Sequence, residues 1–245
     1  MLKKKKFAGL DFDKTVWKDY SIWQSLDFLE DAGIVDEKLR TDLQMITDWK
    51  NAGKDNLGGR YTYDMVCHDY GTMWAKTMTG VPQDAVVEAS EKMINEKYDE
   101  SIYSATPELV ELLQKNDYDV VFVSLAPIEI LRPVAKRLGI ETILAFEMIA
   151  TNGVYTGLTK TNIHHPGGKG IELGKLKASG NYDWKNSIAF DDSPNGLSML
   201  GKVDIGVILN PTDGMDKPEN RNGHTVLYNS NVIPGVTNLL NANRL

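Results

Sequence analysis

The stretch Phe7-Ala8-Gly9-Leu10-Asp11-Phe12-Asp13-Lys14-Thr15 decides the reading of this chain. A short apolar run ends abruptly in two carboxylates at i and i+2. If Phe7 to Leu10 is a strand, both acids stand at its carboxyl end, where open α/β sheets bind ligands. Two acids crowded there need a compensating charge. A divalent cation with a preference for carboxylate oxygen, such as Mg²⁺, supplies it. The pair also permits a division of labour, one carboxylate attacking and the other moving a proton. Taken alone, Asp-x-Asp is a common surface turn, and three later stretches give it weight.

The chain has 245 residues, 42% hydrophobic and 25% charged, the make-up of an ordinary globular protein with a substantial core. Its formal net charge of -7 argues against nucleic acid as a partner, because phosphate backbones call for clustered Lys and Arg. Cys67 is the single cysteine, which rules out an internal disulfide and a cysteine-rich zinc site; a packing role is expected for it. Lys3 to Lys6 resembles the basic start of a signal peptide, but the apolar run after it is too short. No run approaches the ~18 apolar residues of a membrane span. The expected location is therefore cytoplasmic, with no membrane partner.

From Val16 to about Tyr103 the texture is helical. Ser21 is a candidate cap for a helix carrying Ile22, Leu26 and Leu29. Asp36 opens a second segment with Leu39, Leu43, Ile46 and Trp49, closed by Gly53; further helices are expected over 61–78 and 82–98, the second and third joined by a polar linker over 53–60. From Thr106 helices and strands alternate. Thr106-Pro107-Glu108 starts a helix by cap-and-proline chemistry, and Tyr118 to Val123 reads as a buried strand ending at Ser124. A helix over 127–138 closes at Gly139, Thr142 to Phe146 is a strand, and Asn152-Gly153 marks a hairpin. A helix from Lys169, strands over 187–190 and 205–209, and a short helix from Pro194 complete the pattern; Pro211 to Gly223 reads as a polar loop. Such alternation implies an α/β domain with a parallel sheet. The expected division is a core of 1–16 with 104–245 and a helical cap over 17–103.

Ser124, Lys169 and Asp191-Asp192 recur at strand ends or at the start of a helix, as Asp11 does. Each has a plain structural alternative: a helix cap, a solvated lysine, a turn before Pro194. Together they form what phosphoryl transfer to a carboxylate requires. A dianionic ester approaching an anionic nucleophile needs cations and hydrogen-bond donors where charge gathers. Mg²⁺ and Lys169 are the cations; the Ser124 hydroxyl and backbone amides are the donors.

These four stretches, in this order, resemble the motifs of the haloacid dehalogenase superfamily. Val123-Ser124-Leu125-Ala126-Pro127, Gly153-Val154-Tyr155-Thr156-Gly157 and Gly167-Gly168-Lys169-Gly170 resemble its phosphoserine-phosphatase-like branch, as does a helical cap between the first two motifs. The resemblance implies a Rossmann-like core of three layers and a Mg²⁺-dependent phosphatase acting on a small-molecule phosphomonoester through a phosphoaspartate. In that reading Asp11 is the nucleophile and Asp13 the acid and base, and an acid at this second position points to ester chemistry rather than dehalogenation. Asp11, the Asp13 carbonyl and Asp192 hold the metal, with Asp191 a ligand or a support for one. Ser124 and Leu125 bind phosphate, and Lys169 pairs with both Asp11 and phosphate, although Lys175 and Lys177 lie nearby. The last motif departs from the branch's Gly-Asp-x-x-x-Asp pattern: Asp191 replaces the glycine and Gly196 stands where the later acid is expected. Asp19 and Arg60 are the candidates for recognising an amino-acid leaving group.

Trp17, Tyr20, Trp23, Trp49, Tyr61, Tyr63, Tyr70 and Trp74 make the cap rich in aromatic residues. Most are expected to pack the core, with a few left for an apolar or cation-binding wall, including one for a choline-like head. His164-His165 is expected to be a solvated loop rather than a metal site. The alternatives to hydrolysis are a phosphotransferase on the same scaffold and an inactive phosphate- or metal-binding module. Oligomeric state does not follow from these residues.

Overall fold

The computed structural model describes residues 4–53 and 60–242; most of the 53–60 linker lies outside the described residues. β1 (Lys6–Leu10) runs through the centre, with Phe7, Ala8 and Leu10 fully buried, as a parallel strand covered on both faces requires. It pairs in parallel with β2 (Tyr118–Pro127) on one side and β6 (Asp183–Asp191) on the other, with Leu10 opposite Phe122 and Phe190. β3 (Thr142–Phe146) lies outside β2, and β7 (Ile205–Leu209) and β8 (Thr225–Leu227) lie outside β6. The six-stranded order is β3-β2-β1-β6-β7-β8, every pairing parallel. The chain steps outward from β1 to β3 and starts again at β6, so the winding reverses between β1 and β6. A crevice opens at the carboxyl ends of those two strands. Asp11 follows one of them and Asp191 ends the other.

α5 (Thr106–Lys115) and α6 (Ile128–Leu138) pack on β2, and α8 (Leu197–Leu200) on β6 and β7. α7 (Gly168–Ala178) packs on α8, and α9 (Val232–Ala242) on α5. Between β1 and α5 come α1 (Ser21–Asp31), α2 (Glu37–Ala52), α3 (Tyr63–Thr77) and α4 (Gln83–Ser101). Leu26, Leu29, Leu39, Leu43 and Ile46 are buried, on the faces that their spacing predicts. The chain leaves and returns side by side: the Lys18 amide donates to the Ser101 carbonyl at 2.7 Å, and Tyr103 to Val16 at 2.9 Å. α4 packs on α6, and α3 on the hairpin of β4 (Met148–Thr151) and β5 (Val154–Thr159). Asn152 and Gly153 turn that hairpin with φ 52° and 77°, the left-handed pair such a turn needs. Among the described residues no helix is long and apolar enough to cross a membrane.

Local details differ from expectation. Ser21 does not cap α1: Tyr20 holds the cap position without a side-chain bond, and the Ser21 amide donates instead to Asp13 Oδ1 at 2.9 Å. Thr106 does not cap α5 either; its hydroxyl reaches the Val16 carbonyl at 3.5 Å. β2 continues past Ser124 to Pro127, with its register against β3 shifting between Val123 and Pro127. β6 begins four residues early, at Asp183, because Asn186 at φ 61° lets an irregular stretch join the strand. β8 and α9 follow the polar loop, where the sequence reading places no element.

Candidate active site

The loop after β1 is wound tightly. The amides of Thr15, Val16 and Trp17 all donate to the Phe12 carbonyl, at 3.3, 2.9 and 3.0 Å. Lys14 takes up the turn with φ 61°, a conformation uncommon for a side chain of its size. Thr15 Oγ1 thereby comes to lie 3.5 Å from Asp11 Oδ2 and 3.4 Å from Asp192 Oδ1, joining the loop after β1 to the end of β6.

Lys169 is fixed by glycine. Gly167 caps α7 at φ 69°. A side chain at Gly168 would strike the Asn162 and Ile163 carbonyls at 2.4 Å, and one at Gly170 the Ser198 carbonyl at 2.5 Å. The close approach buries Lys169 and sets its Nζ 2.8 Å from Asp11 Oδ1 and 2.6 Å from Asp191 Oδ2. Burial alone would lower the pKa of this ammonium, but Asp11 and Asp191 raise it above its ordinary value. The neighbouring candidates stand elsewhere: Lys175 pairs with Glu172 at 2.8 Å, and Lys177 lies over the Trp184 ring at 5.0 Å.

Asp191 is wrapped on both oxygens, by Lys169 on one and by the amide and hydroxyl of Ser193, each at 3.1 Å, on the other. Asp192 accepts from Thr212 Oγ1 at 2.5 Å and faces the cavity. Burial, with the other acids, raises the pKa of both carboxyls. Among the described residues, Asp11, Asp191 and Asp192 form the one group of possible ligands whose atoms converge, within 4.8 Å of one another. Three buried carboxylates against one ammonium leave excess negative charge on hard oxygen donors, a set that fits Mg²⁺. Asp13 borders the same cavity, and desolvation pushes its carboxyl up to about 7, against the lowering effect of the bond from the Ser21 amide. Ser124 Oγ accepts from the Ala126 amide at 3.3 Å, which leaves its O–H free to donate.

The model of the haloacid dehalogenase-like hydrolase family matches residues 8–201 of this chain, a span that takes in Asp11, Ser124, Lys169 and Asp192. The chain belongs to that family. A Mycobacterium tuberculosis protein named a probable phosphatase is 31% identical over 126 residues, 51% of this chain and 44% of that one. The phosphoserine phosphatase SerB1 of the same species is 27% identical over 126 residues, 51% of this chain and 41% of that one. The chain thus spans less than half the length of these curated relatives. Among solved structures, a Bordetella pertussis protein of unknown function superposes with a TM-score of 0.74 at 17% identity, over 92% of this chain and 99% of that one. A phosphoserine phosphatase carrying a phospho-aspartyl intermediate analogue superposes with 0.63 at 19% identity, over 96% and 99% of the two chains. The chain therefore has the fold of the phosphoserine phosphatases.

A cavity of about 330 Å³ opens above these acids. Asp11, Asp13, Ser124, Leu125, Lys169 and Asp192 border it; Asp19 and Arg60 are not among its described lining residues. Asp19 turns outward to Lys14 at 3.3 Å with its carboxylate 61% exposed, and Arg60 is exposed. The aromatic residues divide against expectation. Tyr20, Trp23, Tyr63, Tyr70 and Trp74 line the cavity, while Trp17 stacks on Phe12 and Trp49 meets Tyr61 edge to face. Cys67 is buried, and its thiol is pushed up to about 12 by desolvation, so it stays protonated.

His164 is not solvated. It is 3% exposed, borders the cavity and stacks on His68 of α3 with ring centres 6.0 Å apart, and His165 lies 5.1 Å from the same His68 ring. His68 is distant in sequence, so nothing in the local pattern links it to the His164-His165 pair. Gly71 permits this contact: a side chain there would meet His164 Cβ at 2.7 Å.

Proposed function

We propose that this chain is a Mg²⁺-dependent phosphatase that hydrolyses a small-molecule phosphomonoester through an aspartyl-phosphate on Asp11. The observation carrying this reading is the Lys169 ammonium held between Asp11 and Asp191, beside Asp13 and Asp192. An anionic nucleophile can approach an anionic ester only where positive charge is fixed beforehand.

Asp11 attacks phosphorus and the P–O bond to the alcohol breaks; Asp13, protonated, gives its proton to the departing alkoxide. Asp13 then takes a proton from water as that water attacks the aspartyl-phosphate, releasing phosphate and restoring both acids. The raised pKa of Asp13 suits it to both directions of transfer near neutral pH. Lys169 balances charge on Asp11 and the phosphoryl oxygens, and the Ser124 hydroxyl donates to those oxygens. Asp11, the Asp13 carbonyl and Asp192 would hold Mg²⁺, which when bound neutralises charge on the phosphoryl group and orients it. Asp191 has both oxygens occupied by Lys169 and Ser193, and its part is to anchor Lys169. Residues 17–103 act as a cap over the core, hinged where Val16 to Lys18 runs beside Ser101 to Tyr103.

The test is phosphate release from a broad phosphomonoester panel with and without Mg²⁺, beside an Asp11→Asn control. Release that needs both the metal and Asp11 is expected. Silence across the panel would favour an inactive binding module.

A further inference from the structure

Beyond its reacting end, the cavity wall is mainly apolar and aromatic, with Gln44, Thr47 and His164 as neutral polar members. Ile22, Trp23, Val66, Tyr70, Trp74 and Phe146 supply apolar and aromatic surface from α1, α3 and β3. Among the described lining residues the charged side chains are Asp11, Asp13, Asp192 and Lys169, at the reacting end, and Lys50. Lys50 is already neutralised: its ammonium lies 2.8 Å from Asp213.

Two of the lining rings already carry protein cations. Lys50 Nζ lies 4.8 Å from the Tyr63 ring centre, and Lys14 Nζ lies 4.9 Å from that of Tyr20. At these two rings a quaternary ammonium head would have to displace ammonium groups in place, and beside Trp23, Tyr70 and Trp74 it would find no carboxylate away from the reacting end. A zwitterionic head fares no better, because away from the reacting end its ammonium and carboxylate would lose water to meet only neutral polar groups and a lysine already paired with Asp213. Asp19, which could have met an ammonium, faces outward and is engaged by Lys14.

We infer that the alcohol half of the substrate is uncharged and largely apolar, with an aromatic or similarly bulky body, and is neither an amino acid nor a choline-like cation. This rests on the phosphatase reading and names the substrate class of that site. The cavity, at about 330 Å³, is in the range of small-molecule sites, and aromatic walls of this kind bind flat apolar groups by burial and ring contact.

The experiment compares kcat/KM for benzyl phosphate with those for O-phosphoserine, phosphoethanolamine and phosphocholine, using the full chain with Mg²⁺. Acetyl phosphate, which has no bulky alcohol, reports on phosphoryl transfer independently of the wall. Benzyl phosphate is expected to lead the three charged esters by a factor on the order of 100. Trp23→Ala is expected to cut its kcat/KM by roughly tenfold or more, with a smaller effect on acetyl phosphate. Acetyl phosphate turnover that depends on Asp11, combined with a charged ester equal to or better than benzyl phosphate, would overturn the inference and leave the phosphatase reading standing. No turnover of acetyl phosphate or of any ester would remove both.

Discussion

The carboxylate of Asp191 occupies the space that a side chain at residue 196 would need: a Cβ on Gly196 would lie 1.9 Å from Asp191 Cγ. The two departures of this chain from its branch's last motif are thus one substitution in space. An acid moved to 191 excludes the acid at 196. Lys169 is held by the acid that is present, at 2.6 Å.

This coupling is measurable by a double-mutant cycle. Gly196→Asp alone forces overlap and is expected to destabilise the fold by about 3 kcal/mol or more. Asp191→Gly alone leaves Lys169 short of a partner. The double variant Asp191→Gly with Gly196→Asp is expected to recover on the order of 1–3 kcal/mol relative to the sum of the single changes in urea unfolding. Simple additivity would contradict the spatial exchange.

Lys169→Met removes the ammonium from between Asp11 and Asp191. Catalysis is expected to fall by roughly 10²–10³ in kcat, the usual loss when one preorganised charge-stabilising group is removed. Stability is expected to fall by about 3–5 kcal/mol, since buried carboxylates lose their counter-charge. Lys115→Met, on the exposed ion pair with Glu111, serves as the comparison in the same steady-state and unfolding assays and is expected to change neither quantity appreciably.

Gly71→Ala tests the seat of α3 on the loop carrying His164. Intrinsic helix propensity favours alanine by about 1 kcal/mol at an interior position. The new methyl group would nevertheless stand 2.7 Å from His164 Cβ and Cγ, and displacing a packed ring costs about 1–3 kcal/mol. Net destabilisation is expected by thermal unfolding; a rise in Tm would mean that the loop yields freely.

His164 gives the fold a pH dependence of defined sign. Desolvation, helped by His165 and His68, lowers its pKa from 6.5 to about 4. The unfolded chain therefore binds the proton more readily between those values. The contribution to stability is complete above pH 6.5 and is lost as pH falls toward 4, by up to about 3 kcal/mol. His164→Gln is expected to flatten that part of the stability profile, measured by urea unfolding at successive pH values. A variant with the same slope as the parent would assign the slope to other groups.

The meeting of the candidate residues in one place was legible in the sequence because each acid and the lysine follows a local signal. Asp11, Ser124 and Asp191 sit at the ends of short apolar runs that their length and their alternation with helical segments mark as buried parallel strands, and Lys169 is flagged by its glycines. Contacts between distant stretches were not legible. His68 meets His164 across 96 residues of chain, and no periodicity encodes that. The aromatic residues of α1 to α3 have helical spacing whether they pack inward or border a cavity, so Tyr70 and Trp49 look alike until folded. β8 is only three residues long, and Pro234-Gly235 disguises the start of α9. That proline falls in the first turn, where a missing N–H costs nothing.

The central claim is a covalent bond to Asp11. Asp13→Asn should slow release of the second product, so a substrate pulse with Mg²⁺ followed by rapid acid quench and peptide mass spectrometry should find one phosphoryl group on the peptide carrying Asp11. The same experiment with Asp11→Asn should find none. Turnover of substrate with no phosphoryl label at Asp11, or parental rates in Asp11→Asn, would contradict the account.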